Sequence, residues 1–306
     1  MKLVAITRIL NEADIVEAFV RHTAALVDHH VLLDNGSTDG TLDILIALQT
    51  EGFSLEILHH TAIAFAEQEQ LTTLARLVVA GHGADWIMPL DTDEFISFSG
   101  PDAAFRTALS AAKCDLIRIR VREYVTTLHD DVLETLVPRR IIHAHPESDN
   151  YKVMISGELV RQRVVLHAGA HDASFPEDGP IAWSYVADLV YAHFAVRSPW
   201  QWISKFTIGW SKVLAAGPAT VAAGHAQHYR EPFEKLKTSP AHILLDPHYM
   251  AGGQMTANLD VEPIWYRGGV LRYTKQVDYS MRAVSALMVH LENISVQYAK
   301  LNSRSK

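Results

Sequence analysis

Along the first third of the chain, short runs of consecutive apolar residues alternate with stretches in which apolar residues return every three or four positions. The run KLVAIT at residues 2–7 predicts a buried strand. Ile15, Phe19, His22 and Leu26 follow at a spacing that puts them on one face of a helix. The pattern then repeats: HHVLLD reads as a strand, Thr41 to Gln49 as a helix, LEILHH as a strand, Gln68 to Ala80 as a helix and DWIMPLD as a strand. Such alternation predicts βαβ units and an α/β fold built on a mostly parallel sheet, whose ligands lie beyond the carboxyl ends of the strands. Asp34 and Asp91 both fall at such ends.

After Glu94 the texture changes. LIRIRVREYV predicts a strand with Arg118, Arg120 and Arg122 on one face, and LVRQRVVLHAG and ADLVYAHFAV predict two more, separated by loops bearing Pro and Gly. PWQWISKFTIGWSKVLAAG, opening at Pro199, predicts a helix whose Trp200, Trp202, Phe206 and Trp210 are core by default, although one exposed indole would suit a sugar face. A long terminal helix follows, with Met281, Val284, Leu287, Met288 and Leu291 on its apolar side. A boundary near residue 135 divides the chain into residues 1–135 and a mixed α+β half with a C-terminal helix, residues 136–306. No fixed-period repeat and no low-complexity segment interrupts it.

With 306 residues, 48% of them hydrophobic, the chain can bury a sizeable core. Its formal net charge of −8 argues against a nucleic-acid surface, which needs a basic patch or stripe. The single cysteine, Cys114, excludes an intramolecular disulfide and a cysteine-based zinc cluster. The amino-terminal MKLVAITRILNEAD lacks the sustained apolar segment of a signal peptide, and no run of about eighteen uncharged apolar residues occurs, so a cytoplasmic protein is expected, with at most peripheral membrane association.

Two stretches carry chemistry. WIMPLDTDEF sets Asp91, Asp93 and Glu94 at the end of an apolar run. Three carboxylates in four residues repel one another, and burying one uncompensated would cost several kcal/mol, so a positive partner is expected. The bland reading is a solvated turn; the sharper one is a divalent cation such as magnesium or manganese, which prefers carboxylate oxygens. Removing one of three crowded carboxylates should then relieve repulsion whenever no cation is bound. The second stretch is LLDNGSTDGT, Leu32 to Thr41. As an EF-hand it fails, because with Asn35, Ser37 and Asp39 as the first three ligands the twelfth position falls on Ile46, where a Glu is needed. Neither a P-loop nor a dinucleotide fingerprint fits either. What remains is a carboxylate at a strand end beside a helix N-terminus, suited to accept hydrogen bonds from a base or sugar.

A strand ending in DNGSTDGT after a first strand bearing Asn11 and Glu12, followed by the Asp-x-Asp strand end of WIMPLDTDEF, resembles glycosyltransferase family 2, and within it the bacterial subgroup with a DxDEF-type motif. The resemblance covers about residues 1–97. Beyond them YAHFAVRSPWQWISKFTIGW is similar to a His-aromatic, Ser, aromatic, Lys, Gly string of that subgroup. It implies a GT-A fold, a nucleotide-sugar donor (a UDP-sugar favoured), a divalent metal (Mn2+ or Mg2+) and inverting, hexosyltransferase-like transfer to a glycan or glycolipid hydroxyl, as in surface polysaccharide biosynthesis. By carry-over Asp91 contacts the donor ribose or metal waters, Asp93 ligates the cation, and Glu94 stands behind them. Thr7, Arg8, Asn11 and Asp34 hold the base and ribose, and Arg76 is a candidate for the diphosphate. Asn35 departs from the family, where a second Asp is usual. A late His commonly joins such a metal site; His193 is the choice, with His171 next. The general base is expected at Asp178 of FPEDGP, beside Glu177, with Asp172 as its rival.

Other classes fit less well. A haloacid-dehalogenase-type phosphatase carries its Asp-x-Asp on the first core strand, not the fourth. A nucleotidyltransferase should open with a Gly- and Arg-rich loop. A non-catalytic module binding nucleotide sugars or glycans remains the main alternative, which turnover would exclude.

Overall fold

The computed structural model of the chain describes residues 1–98, 100–146, 149–177, 181–224, 226–245 and 258–304. Its α/β architecture is the one expected, a mostly parallel sheet flanked by helices with a helix at the C-terminus, consistent with a Rossmann-like GT-A fold. The parallel part comprises β1 (Leu3–Ile9), β2 (His29–Asp34), β3 (Leu55–His59) and β4 (Trp86–Pro89), connected by α1 (Val16–Thr23), α2 (Thr41–Glu51) and α3 (Glu67–His82). β1 lies centrally, with Ile9 opposite Asp34 of β2 and Ile6 opposite Pro89 of β4. The strands are near-continuous apolar runs because helices cover both faces of a parallel sheet.

The remaining strands bend the sheet around the end of β4. β5 (Glu94–Ser97) follows the carboxylate turn, and α4 (Asp102–Ser110), whose Phe105 packs on Phe98, leads to β6 (Leu116–Val125). α5 (Val137–Arg140) and β7 (His143–Ala144) lead to β8 (Tyr151–Ser156), which inserts antiparallel between β4 and β6. Strands from both sides of residue 135 thus share one sheet. After α6 (Gly157–Arg161) come β9 (Val165–Leu166), β10 (Ala173–Ser174) and β11 (Trp183–Ser184), and then β12 (Val190–His193), which pairs parallel to β6 and antiparallel to β5. Two expectations change here. YKVMIS is a strand that alternation did not single out, since its VMI core is continuous rather than alternating. The first three residues of LVRQRVVLHAG are helical, because Ser156 caps the turn by accepting a hydrogen bond from the Leu159 N–H at 3.3 Å.

Beyond β12 the described residues form α7 (Pro199–Ala215), α8 (Pro218–Ala222), α9 (Arg230–Thr238), α10 (Pro240–Leu245), the short β13 (Asp260–Val261) and α11 (Tyr279–Arg304). Ser198 caps α7, accepting from the Gln201 N–H at 3.0 Å, with Pro199 in the first turn. Gly209 on α7 is required by close packing: a Cβ there would lie 2.6 Å from the Tyr229 ring. α11 corrects a further expectation. It docks on α7 through Ala283 and Ala286, whereas Met281, Val284, Met288 and Leu291 are exposed and Leu287 is only half-buried. Small residues allow the close approach, and Arg282 anchors the helix to Asp14 at 2.5 Å and to Asp39. Among the described residues no helix is long and apolar enough to cross a membrane.

Two core histidines make the fold sensitive to acid. His30 is fully enclosed, Nε2 lying 2.8 Å from the Thr7 hydroxyl and its ring against Phe19. His22 lies under Phe95, with Nε2 2.8 Å from the Ile96 carbonyl. Burial pulls the His30 pKa down to about 3 and that of His22 to about 4. Below the ordinary value of 6.5 the unfolded chain therefore binds protons that the folded chain refuses, and stability falls as pH drops from 6.5 toward those values. Each histidine should cost about 2 kcal/mol by pH 5. Urea denaturation at pH 7 and pH 5 checks this: His30→Leu should shrink the difference between the two by about 2 kcal/mol, and an unchanged difference would refute it.

Candidate functional site

The strand ends define one rim of a cavity of about 900 Å³. Arg8, Asn11 and Glu12 reach it from the end of β1, Asn35 from the end of β2, and Asp91, Asp93 and Glu94 from the turn between β4 and β5. The opposite wall is α7, whose Gln201, Trp202, Lys205, Ile208 and Lys212 recur at helical spacing and face the cavity together. Tyr229, packed on Gly209, and His228 close one side.

The carboxylate turn is divided between two sets of cations. Asp91 and Glu94 share Lys152 of β8, at 2.6 and 2.9 Å, while the Asp91 N–H donates to Glu94 Oε2 at 3.0 Å. Glu94 is fully buried, and burial pushes its carboxyl up to about 7 even with Lys152 beside it. Burial also opposes charge on Lys152, but Asp91 and Glu94 outweigh it and hold the ammonium well above its ordinary pKa. Asp93 belongs to the other set. It pairs with Lys205, lies 3.5 Å from His193 Nε2, and has Arg197 at 3.8 Å. Burial would raise its pKa; Lys205 and His193 hold it well below the usual carboxylate range.

Strand register explains His193. As the last residue of β12 it stands opposite Glu94 of β5 on one side and Glu123 of β6 on the other. Its Nδ1 lies 2.8 Å from Glu123 and its Nε2 faces Asp93. Burial disfavours the imidazolium, yet Glu123 and Asp93 raise its pKa well above the ordinary histidine value. A second network lies beneath: Arg197, with no exposed side-chain surface, pairs with Asp14 and Glu12. Burial lifts Glu12 to about 7 against the pull of Arg197, whereas Arg197 and Arg282 overcome burial at Asp14 and hold it low.

The expected residues thus divide. Asp91, Asp93, His193, Arg8, Asn11 and Asn35 meet at the cavity, as does His171, whose Nδ1 lies 2.9 Å from the Tyr151 carbonyl. Arg8 is held by Glu67 at 2.9 Å and Gln70 at 2.6 Å. Asn11, at φ +59°, accepts from the Thr38 N–H at 2.8 Å, and Asn35 accepts from the Ala62 N–H at 2.7 Å. Asp34 is buried behind this rim, accepting from the Ser37 N–H at 3.0 Å and lying 2.8 Å from His59 Nδ1. The Thr7 hydroxyl is engaged with His30. Arg76 is exposed on α3 and is not part of the cavity lining. Asp172 pairs with Arg118 at 3.1 Å, also away from that lining. Asp178 lies outside the described residues.

Four lining residues were not anticipated in these roles: Lys152, Lys205, Glu123 and Lys212. A lone lysine inside an apolar strand, as in YKVMIS, is the signal that marks Lys152, because lysine is almost never fully buried unless paired. Lys205 lies in the same family-like string as His193. Lys212 donates to the Ala62 carbonyl at 2.8 Å, and burial together with Arg8 lowers its pKa to about 8. It also borders a small cleft formed by Asn35, Thr61 and Ala62 against His290 and Asn293 of α11.

No family model matches the chain, and no curated protein matches it. Among solved structures it is similar to a mannosyltransferase of Pyrobaculum calidifontis in complex with GDP-Man and Mn2+, at 12% identity and a TM-score of 0.39, over 97% of this chain and 79% of that one. It is similar also to HddC of Yersinia pseudotuberculosis, at 12% identity and a TM-score of 0.37, over 63% of this chain and 93% of that one. A third is a putative glucose-1-phosphate thymidylyltransferase of Bacillus anthracis in complex with sucrose, at 10% identity and a TM-score of 0.35, over 71% of this chain and 95% of that one. Likenesses this distant leave the functional reading to the site itself.

Proposed function

We propose that the protein is a metal-dependent glycosyltransferase that moves a sugar from a nucleotide-sugar donor, a UDP-sugar favoured, to a glycan or glycolipid hydroxyl with inversion. The observation that carries this reading is the meeting of Asp91, Asp93 and His193 with Lys205, Lys212 and Arg8 around one cavity at the strand ends. Carboxylates and an imidazole suit a manganese-like cation, and the surrounding cations suit a diphosphate.

The donor set fits such an ion. Asp93 Oδ1 and His193 Nε2 stand 3.5 Å apart, near the ~3 Å that separates neighbouring ligands of an octahedral ion with bonds of about 2.1 Å. Asp93 and His193 would hold it, His193 first giving up from Nε2 the proton that Glu123 and Asp93 favour, with Asp91 contributing directly or through water. When bound, it would neutralise the diphosphate and stabilise charge growing on the leaving nucleotide. Lys205, which pairs with Asp93, would then be available to a phosphate oxygen. Glu123 fixes the His193 ring through Nδ1, so Nε2 is the atom presented to the site. Lys152 keeps Asp91 and Glu94 from repelling each other while the site is without its ligands. Asn35 and the cleft beside α11 are assigned to the base, and Asp178 to the proton of the acceptor hydroxyl.

Thermal melts with Mn2+, a nucleoside diphosphate, both or neither test the reading. Both together should stabilise more than either alone, by about 2.7 kcal/mol at a hundredfold excess over the dissociation constant, a shift of a few degrees. Identical curves in all four conditions would exclude the donor site. Stabilisation without turnover across a panel of donors and acceptors would indicate a binding module instead.

A further inference from the structure

The geometry points to a second metal site, for Zn2+, formed by His29, Glu56 and His82 at the end of the sheet opposite the cavity. His29 opens β2, Glu56 lies near the start of β3, and His82 ends α3, whereas the cavity lies beyond the carboxyl ends of the same strands. One potential ligand atom from each of the three lies within 4.8 Å of the others.

Register and packing bring them together. Val31 of β2 stands opposite Glu56 of β3, and His29, two residues before Val31, projects from the same face of the sheet. α3 crosses that face and ends there, placing the His82 ring 4.5 Å from the His29 ring. His82 Nε2 already lies 2.7 Å from Glu56 Oε2. The Ser54 hydroxyl lies 2.8 Å from His29 Nδ1 and fixes the ring. Its other nitrogen, Nε2, is buried with no hydrogen-bond partner among the described residues.

Two imidazoles and one carboxylate form a ligand set that Zn2+ accepts, with a fourth position left for water. Bonds of about 2.0–2.1 Å place tetrahedral ligands about 3.3 Å apart, so the Glu56–His82 contact at 2.7 Å must open slightly and any pair near the 4.8 Å limit must draw in by up to about 1.5 Å. All three are only partly buried, which permits that adjustment. A metal here would tie the outermost parallel strand to the end of α3.

The test uses the full chain, stripped of metal and carrying Asp93→Asn to disable the proposed donor-site metal. One equivalent of Co2+ should develop the visible absorption of a four-coordinate site, and Zn2+ should displace it. Zn2+ at a hundredfold excess should raise the melting temperature by several degrees. His82→Gln and Glu56→Gln should each weaken Co2+ binding at least about tenfold and remove most of the Zn2+ shift. Their metal-free denaturation curves show whether they fold, and His29→Gln provides a third variant if either does not. Equal stabilisation of parent and triad variants by Zn2+, or absence of Co2+ absorption in the parent, overturns the site. Mn2+ with a nucleoside diphosphate should still stabilise His82→Gln in the chain that retains Asp93, so failure of this site and failure of the transferase reading are separable.

Discussion

Asp93→Asn is expected to lower sugar transfer by at least about two orders of magnitude, roughly 2.7 kcal/mol of transition-state stabilisation, and to abolish its dependence on Mn2+. The amide keeps the shape of the side chain but lacks the charge that a cation and its diphosphate need. Sequence alone predicts that removing one of three crowded carboxylates relieves repulsion and leaves stability near or above that of the parent. The structure reverses this sign. Asp93 faces Lys205, His193 and Arg197, so the asparagine leaves those cations underneutralised rather than a carboxylate relieved. Loss of a proton from His193 would offset part of the cost, and a modest destabilisation of about 1–2 kcal/mol remains. Transfer rate per folded molecule, with urea denaturation alongside, decides the matter. The exposed Asp43→Asn serves as control. Transfer within tenfold of the parent, or activity that merely tracks the folded fraction, would move Asp93 out of the metal site.

The largest stability effect should come from Arg197→Met. Arg197 has no exposed side-chain surface, pairs with Asp14 and Glu12, and donates to the Phe194 carbonyl at 3.1 Å. Methionine fills much of the volume but leaves two carboxylates in a low-dielectric site with only part of their compensation. Arg282, 2.5 Å from Asp14, retains some of it. Removing one partner of a buried pair typically costs about 3–5 kcal/mol, and the lower end of that range is expected here. Measured against a total stability of about 5–15 kcal/mol, this should be plain in urea denaturation. The pH dependence follows in sign. Asp14 has a depressed folded pKa, so its contribution is present above the ordinary aspartate value and is lost as pH falls toward the depressed one. In the variant much of that contribution is gone at neutral pH, and the gap from the parent should narrow as acid is added. A loss below about 1 kcal/mol at pH 7 would contradict the assigned role.

Several features of this protein were determined by the sequence alone because they depend on local pattern. Alternation of strand-like and helix-like periods identified β1 to β4 and the helices between them. Parallel strands joined by crossovers necessarily deliver their carboxyl ends to one edge, which is why Asp34, Asn35, Asp91 and Asp93 could be assigned to a common rim. Tertiary structure decided which groups balance those carboxylates. Lys152 is 61 residues from Asp91, and Lys205 is 112 residues from Asp93. Their approach depends on β8 inserting between β4 and β6 and on the turn of α7 that faces the cavity, and no local pattern encodes either. Asp34 was legible as a strand-end carboxylate but not as one enclosed by Ser37 and His59, since enclosure depends on neighbouring loops. α11 marks the same limit. The repeat of Met281, Val284, Met288 and Leu291 predicts a helix with an apolar face, but periodicity does not say what covers that face, and in the fold the alanines on the other side make the contact.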